Sequence, residues 1–276
     1  MSPDEHFQDI KRVIAANCGH ADKIHLIMPL LYQARQHKRK GRESLDCAIA
    51  LQELERMGIE DIITFDAHDP NVSNAIPHLP FENFYPTNVI LNDLVECEKE
   101  NIHNLLVVSP DMGAVTRARY YAEVLGCDVG VFYKRRDLSK VINGKNPIIE
   151  HVYLGSDVKG KNIIVVDDMI ASGTSMIDVA KELKKRGANA IYFIATFALF
   201  TEGYQNFEEA WTNNLFDKLY TTNLSYVPND IKNKDWYKEV DCSKLIANII
   251  YNLHNEKSLE CYHQPNRELL KKLRER

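Results

Sequence analysis

The chain has 276 residues, is 45% hydrophobic and 26% charged, and carries 34 Lys plus Arg against 39 Asp plus Glu, a net charge of −5. That composition excludes a disordered or fibrous protein, and the length leaves room for two domains. An overall negative charge gives no global field for nucleic acid or anionic membranes, so any anion site must be local.

In chain order, the acidic start MSPDEHFQDIKRV does not resemble a secretory signal. Six apolar runs predict strands: 24–28 (IHLIM), 61–65 (DIITF), 105–109 (LLVVS), 129–133 (VGVFY), 162–166 (NIIVV) and 190–197 (AIYFIATF). Continuous apolar runs bounded by polar loops fit strands buried on both faces, as in parallel sheets. Three helical patterns precede strands and end at Gly58, Gly126 and Gly187, where glycine supplies a left-handed cap. This alternation predicts an α/β fold of two doubly wound domains with mainly parallel sheets. A boundary is expected between Pro80 and Pro86 in a strand-poor connection, giving domains 1–83 and 84–245, then C-terminal helices over 246–276. From Asn206 to Tyr237 periodicity is weak; CSKLIANIIYNLHN then reads as an amphipathic helix, and ELLKKLRER as a short basic one. Ile191 to Phe200 is too short to span a bilayer, and the six scattered cysteines read as reduced thiols. A soluble, cytoplasmic protein is expected.

Ligands of open parallel sheets bind beyond the carboxyl ends of the strands. The loop VVDDMIASGTSM (165–176) carries the most specific chemistry there. Asp167 and Asp168 are expected to end a strand, and a helix to begin near Thr174. Backbone N–H groups of Ala171, Ser172, Gly173, Thr174 and Ser175 would cradle a phosphate, and the carboxylates would accept from vicinal ribose hydroxyls or face a metal. The alternative is an ordinary strand-to-helix turn with capping hydroxyls. A bulky residue at Gly173 is expected to enter the phosphate space with little effect on folding. GSDVKGKN (155–162) nearly fits the P-loop pattern, but it precedes a strand instead of following one, and reads as a turn.

The loop resembles the phosphoribosyl-pyrophosphate loop of type I phosphoribosyltransferase folds. LIMPLLYQARQHKRKGRES, IITFDAHDPNVSNAIP, LLVVSPDMGAVTRARYYAEVLG and VFYKRRD accompany it in the order seen in the ribose-phosphate pyrophosphokinase family. The resemblance runs from about Phe7 to Leu253. It implies transfer of pyrophosphate from ATP to ribose 5-phosphate, with Mg2+, in a homo-oligomer (dimer or hexamer) that engages neither nucleic acid nor membrane. By resemblance, Arg35 and Gln36 contact ATP, and His68 sits at the magnesium–ATP phosphates. Asp111 stands near a second magnesium, and Lys134 and Arg136 open a catalytic flap. The C-terminal helices would pack on the N-terminal domain. Read by themselves, YQARQHKRK and YKRRD are equally solvated basic loops, and a lone histidine is more often structural. Three features depart from the family: an N-terminal segment with an adenine-side loop is not found before Arg35, the loop DDMIASGTS is one residue short, and His37 stands where a carboxylate is expected. A synthetase-like regulatory subunit or a phosphoribosyltransferase are the other readings.

Overall fold

The computed structural model describes residues 2–39, 41–136 and 148–264, and the chain divides into two compact units after Pro86. The first unit contains α1 (Pro3–Ala16), β1 (His25–Ile27), α2 (Asp46–Arg56), β2 (Asp61–Phe65), a 3-10 turn at Pro70–Ala75 and β3 (Phe81–Phe84). Its three strands are parallel in the order β1-β2-β3. Ser2 and Glu5 form a capping box at α1, satisfying helix N–H groups that otherwise have no partner. Phe81–Phe84 was expected to be strand-poor. It forms a strand because Phe84 is fully buried and Asn83 Oδ1 accepts the Ala67 N–H at 2.9 Å, tying this short edge into the sheet.

The second unit contains α3 (Thr87–Cys97), β4 (Leu105–Ser109), α4 (Val115–Leu125), β5 (Asp128–Arg136), β6 (Ile148–Leu154), β7 (Asn162–Ile170) and α5 (Thr174–Lys185). It continues with β8 (Ile191–Ala198), α6 (Gln205–Thr212), β9 (Lys218–Thr222), α7 (Asn229–Lys232), β10 (Tyr237–Val240) and α8 (Ser243–His254). The strand order is β10-β9-β8-β7-β4-β5-β6, parallel throughout except for the antiparallel pair β5–β6. Both faces are covered. Ile191, Phe193 and Ala195 enter one core with Phe207, Phe216 and Trp236, whereas Tyr192 and Ile194 enter the other with Ile90, Leu94 and Tyr121. Period-two alternation thus buries every residue of β8, as its apolar run requires. The basic helix expected after Pro265 lies outside the described residues.

Under the second sheet, Glu98 accepts hydrogen bonds from two buried phenols, Tyr192 at 2.9 Å and Tyr220 at 2.8 Å. Burial, together with the carboxylate, pushes both hydroxyls well above the usual tyrosine range. Glu98→Ala leaves both without an acceptor and is expected to cost about 2–6 kcal/mol of stability, given about 1–3 kcal/mol per orphaned buried group. Urea unfolding checks this, and the cost should shrink when Tyr192 and Tyr220 are both phenylalanine.

Candidate active site

In the larger sheet the chain first runs from β4 to β5, then returns to β7 and proceeds the other way through β8 to β10. The reversal lies between the neighbours β4 and β7, paired from Leu105↔Asn162 to Val108↔Val165. Such switch points open a crevice beyond the strand ends, and the acidic residues and the small-residue loop flank it.

After β4, Asp111 closes the turn that leads into α4. Its Oδ1 accepts the N–H groups of Gly113 at 2.8 Å and Ala114 at 3.3 Å, while Ser109 Oγ donates to the Asp111 carbonyl at 2.6 Å. Both bonds use one carboxylate oxygen and fix the side chain against the turn.

Asp167 and Asp168 lie inside β7, not at its end, because pairing with β8 continues through Asp167↔Ala195 to Ile170↔Ala198. Asp168 is 3% exposed and Asp167 half-buried, and the Asp168 N–H donates to Asp167 Oδ1 at 2.9 Å. Burial first, then the neighbouring Asp168 charge, raises the Asp167 carboxyl well above its ordinary 3.8, against a smaller opposing pull from Arg117. A native carboxyl that holds its proton above its unfolded value makes stability fall as pH rises through that window. Asp167→Asn is therefore expected to unfold at the same urea concentration as the parent near about pH 3, where both forms are protonated, and at a higher one near about pH 7. Parallel pH profiles for the two proteins would contradict this.

Ala171, Ser172 and Gly173 join β7 to α5. Gly173 adopts φ +71, a conformation that glycine enters without penalty, and its carbonyl accepts the Ile177 N–H at 3.0 Å, the first helical bond. The preceding N–H groups point from the positive end of the helix, the arrangement that receives phosphate elsewhere. Ser172 Oγ lies 3.0 Å from Thr174 Oγ1 and 3.4 Å from its backbone nitrogen, so the hydroxyls cluster at the same helix end. A Cβ at position 173 would collide with the Phe207 ring. The expectation that a bulky residue here has little effect on folding is corrected: packing against Phe207 requires glycine.

The residues expected at ATP lie in the first unit. Arg35 and Gln36 occupy the irregular stretch between β1 and α2, where the Gln36 carbonyl accepts the Cys47 N–H at 3.1 Å. His68 is exposed in the loop after β2. Beside it, burial alone would raise the Asp69 carboxyl, but hydrogen bonds from Asn71 and the charges of His37 and Lys38 hold it below the usual range. His68 and Asp111, the two residues expected at metal, thus sit in different units, and no group of three or more metal-ligating side chains occurs among the described residues. Lys134 and Arg136 continue β5 as strand, in register with His151 and Ile148 of β6. The flap expected beyond them, 137–147, lies outside the described residues.

Residues 90–212 match the profile of the phosphoribosyl transferase domain. The ribose-phosphate pyrophosphokinase of Vibrio parahaemolyticus is 28% identical over 242 residues, which is 87% of this chain and 73% of that protein. Its counterpart in Ralstonia nicotianae is 34% identical over 185 residues, 66% of this chain and 55% of that protein. The crystal structure of phosphoribosylpyrophosphate synthetase from Mycobacterium smegmatis has a similar fold, with a TM-score of 0.77 at 24% identity over 90% of this chain and 77% of that one. The chain is thus similar to ribose-phosphate pyrophosphokinases over most of its length, and within it residues 90–212 match a phosphoribosyl transferase domain. Sequence reasoning passed over Arg117, whose charge acts on Asp167. The signal was present: a cation in the first turn of α4 opposes the helix dipole, so it needs a carboxylate partner elsewhere.

Proposed function

We propose that the chain is a ribose-phosphate pyrophosphokinase, converting ATP and ribose 5-phosphate to phosphoribosyl pyrophosphate and AMP. The observation that carries this reading is the pairing, at one switch point, of an acid pair, one member buried and the other half-buried, with the N-terminus of α5. Ala171 to Ser175 bind the 5-phosphate. Asp167 and Asp168 hold the vicinal hydroxyls, one carboxyl keeping a proton to donate and the other accepting. Arg35, Gln36 and His68 bind the triphosphate. The ribose 1-hydroxyl attacks the β-phosphorus in line, the bond to the α-phosphate oxygen breaks, and AMP leaves. Lys134 and Arg136 stabilise charge on the transferring group. Asp111, with one oxygen outside its turn bonds, suits a hard cation that keeps most of its ligands from phosphate and water, whereas His68 is the less typical donor. Bound Mg2+ would supply charge neutralisation on the triphosphate.

The proposed setting is the cytoplasm, and the proposed assembly a homo-oligomer, dimer or hexamer. Among the described residues no helix is long and apolar enough to cross a membrane. The test is AMP release that requires ATP, ribose 5-phosphate and magnesium together. The three-residue link between β7 and α5 favours one second reading, a phosphoribosyltransferase; that reading predicts instead consumption of phosphoribosyl pyrophosphate by a free base.

A further inference from the structure

His37 stands where the family resemblance expects a carboxylate, and its surroundings differ accordingly. Its side chain is 8% exposed. Nδ1 lies 3.2 Å from the Ala34 carbonyl, immediately before Arg35, which fixes the ring on its own loop. Nε2 is buried and faces Asp69 Oδ2 at 3.0 Å, an ion-pair contact without the alignment of a directed hydrogen bond. The ring also meets His68 edge-on, with centroids 5.3 Å apart and planes at 62°.

Asp69 is an anchor rather than a free ligand. Its Oδ1 accepts both the backbone and side-chain amides of Asn71 at 3.0 Å and caps the 3-10 turn at Pro70–Ala75. Its Oδ2 faces His37 and, at 3.5 Å, Lys38 Nζ. The loop after β1 and the loop after β2 are therefore joined through one buried imidazole, with Arg35 and Gln36 on one side and His68 on the other.

We propose that His37 is a positioning residue for ATP, clamping the Arg35–Gln36 loop to the His68–Asp69 loop and setting where these three side chains meet the triphosphate. The inference rests on the assignment of those three residues to ATP. It carries a consequence peculiar to this chain: the carboxylate expected from the family is incompatible with the clamp, because it would place a second negative charge against Asp69.

The test is calorimetric titration of the full chain with ATP plus magnesium, and separately with ribose 5-phosphate. His37→Leu is expected to weaken ATP binding by about tenfold or more, as small misplacements of binding groups do, with ribose 5-phosphate affinity unchanged. His37→Gln, which can still donate toward Asp69, should recover most of the loss, and His37→Asp should bind ATP worst. Asp69→Asn combined with His37→Leu should cost little beyond either change alone, as for two halves of one contact. In steady state the loss should fall on the KM for ATP and spare kcat, a split that general loss of folding would not give. Should His37→Leu fail to fold, the Gln and Asp variants carry the comparison. ATP affinity unchanged in His37→Leu, His37→Asp binding as well as the parent, or a parent that binds no ATP would each overturn the proposal. A parent that binds ATP through His37 yet releases no AMP would instead leave the clamp standing and defeat the activity reading.

Discussion

Lys134→Ala or Arg136→Ala is expected to slow AMP release by a factor of about a hundred to a thousand, the usual cost of removing one group that stabilises transition-state charge. Both residues continue β5 toward the carboxyl end of the second sheet, the end at which Asp111 and the α5 N-terminus lie. A cation needed only as the transferring pyrophosphoryl group gains charge lowers kcat when removed, and leaves ground-state binding nearly intact. Calorimetry with ribose 5-phosphate should thus give the parent's affinity in both variants. Variants that turn over as fast as the parent would remove the two residues from catalysis, and variants that lose ribose phosphate affinity would reassign them to binding.

Gly173→Val should combine two losses. A β-branched residue at φ +71 is strained by about 1–3 kcal/mol. Its Cβ would also collide with Phe207, which stacks on Trp236 at 5.8 Å and meets Phe200 and Phe216 edge-on. Overpacking of that kind costs about another 1–3 kcal/mol or displaces the loop. We expect a lower Tm together with loss of measurable ribose 5-phosphate binding, because the N–H groups around residue 173 move with the backbone. Thr174→Ala, which removes only an exposed hydroxyl, should keep the fold and weaken binding modestly. A Gly173→Val protein with the parent's Tm and affinity would show that the loop yields without consequence and that phosphate is held elsewhere.

Strands that form the centre of a sheet are written in the sequence most plainly. β2 and β4 coincide with apolar runs 61–65 and 105–109 because both are buried on each face. β7 runs beyond its apolar segment since Asp167 and Asp168 remain paired with β8, and pairing is blind to side-chain polarity. β3, β9 and β10 were illegible for a related reason: FENF, KLYTT and YKEV are short and partly polar. The threonines of β9 are buried only because Thr222 Oγ1 donates to the Thr196 carbonyl at 2.6 Å and Thr221 meets the Tyr237 hydroxyl at 2.7 Å. Those partners are distant in sequence, so no local pattern announces them.

The candidate site divides along the same line. An acid pair followed by small residues and a helix is local, and DDMIASGTS displays it. Contacts made in three dimensions are hidden: Gly173 against Phe207, Arg117 acting on Asp167, and His37 against Asp69.

Phosphorus NMR of one mixture of ATP, ribose 5-phosphate, magnesium and the full chain separates pyrophosphoryl transfer from the other reactions. Transfer of the β,γ-pyrophosphoryl group predicts AMP and a ribose-bound diphosphate appearing in equal amounts as ATP disappears, with no ADP. ADP in place of AMP, or unchanged ATP in a sample whose chain demonstrably binds ribose 5-phosphate, would contradict it.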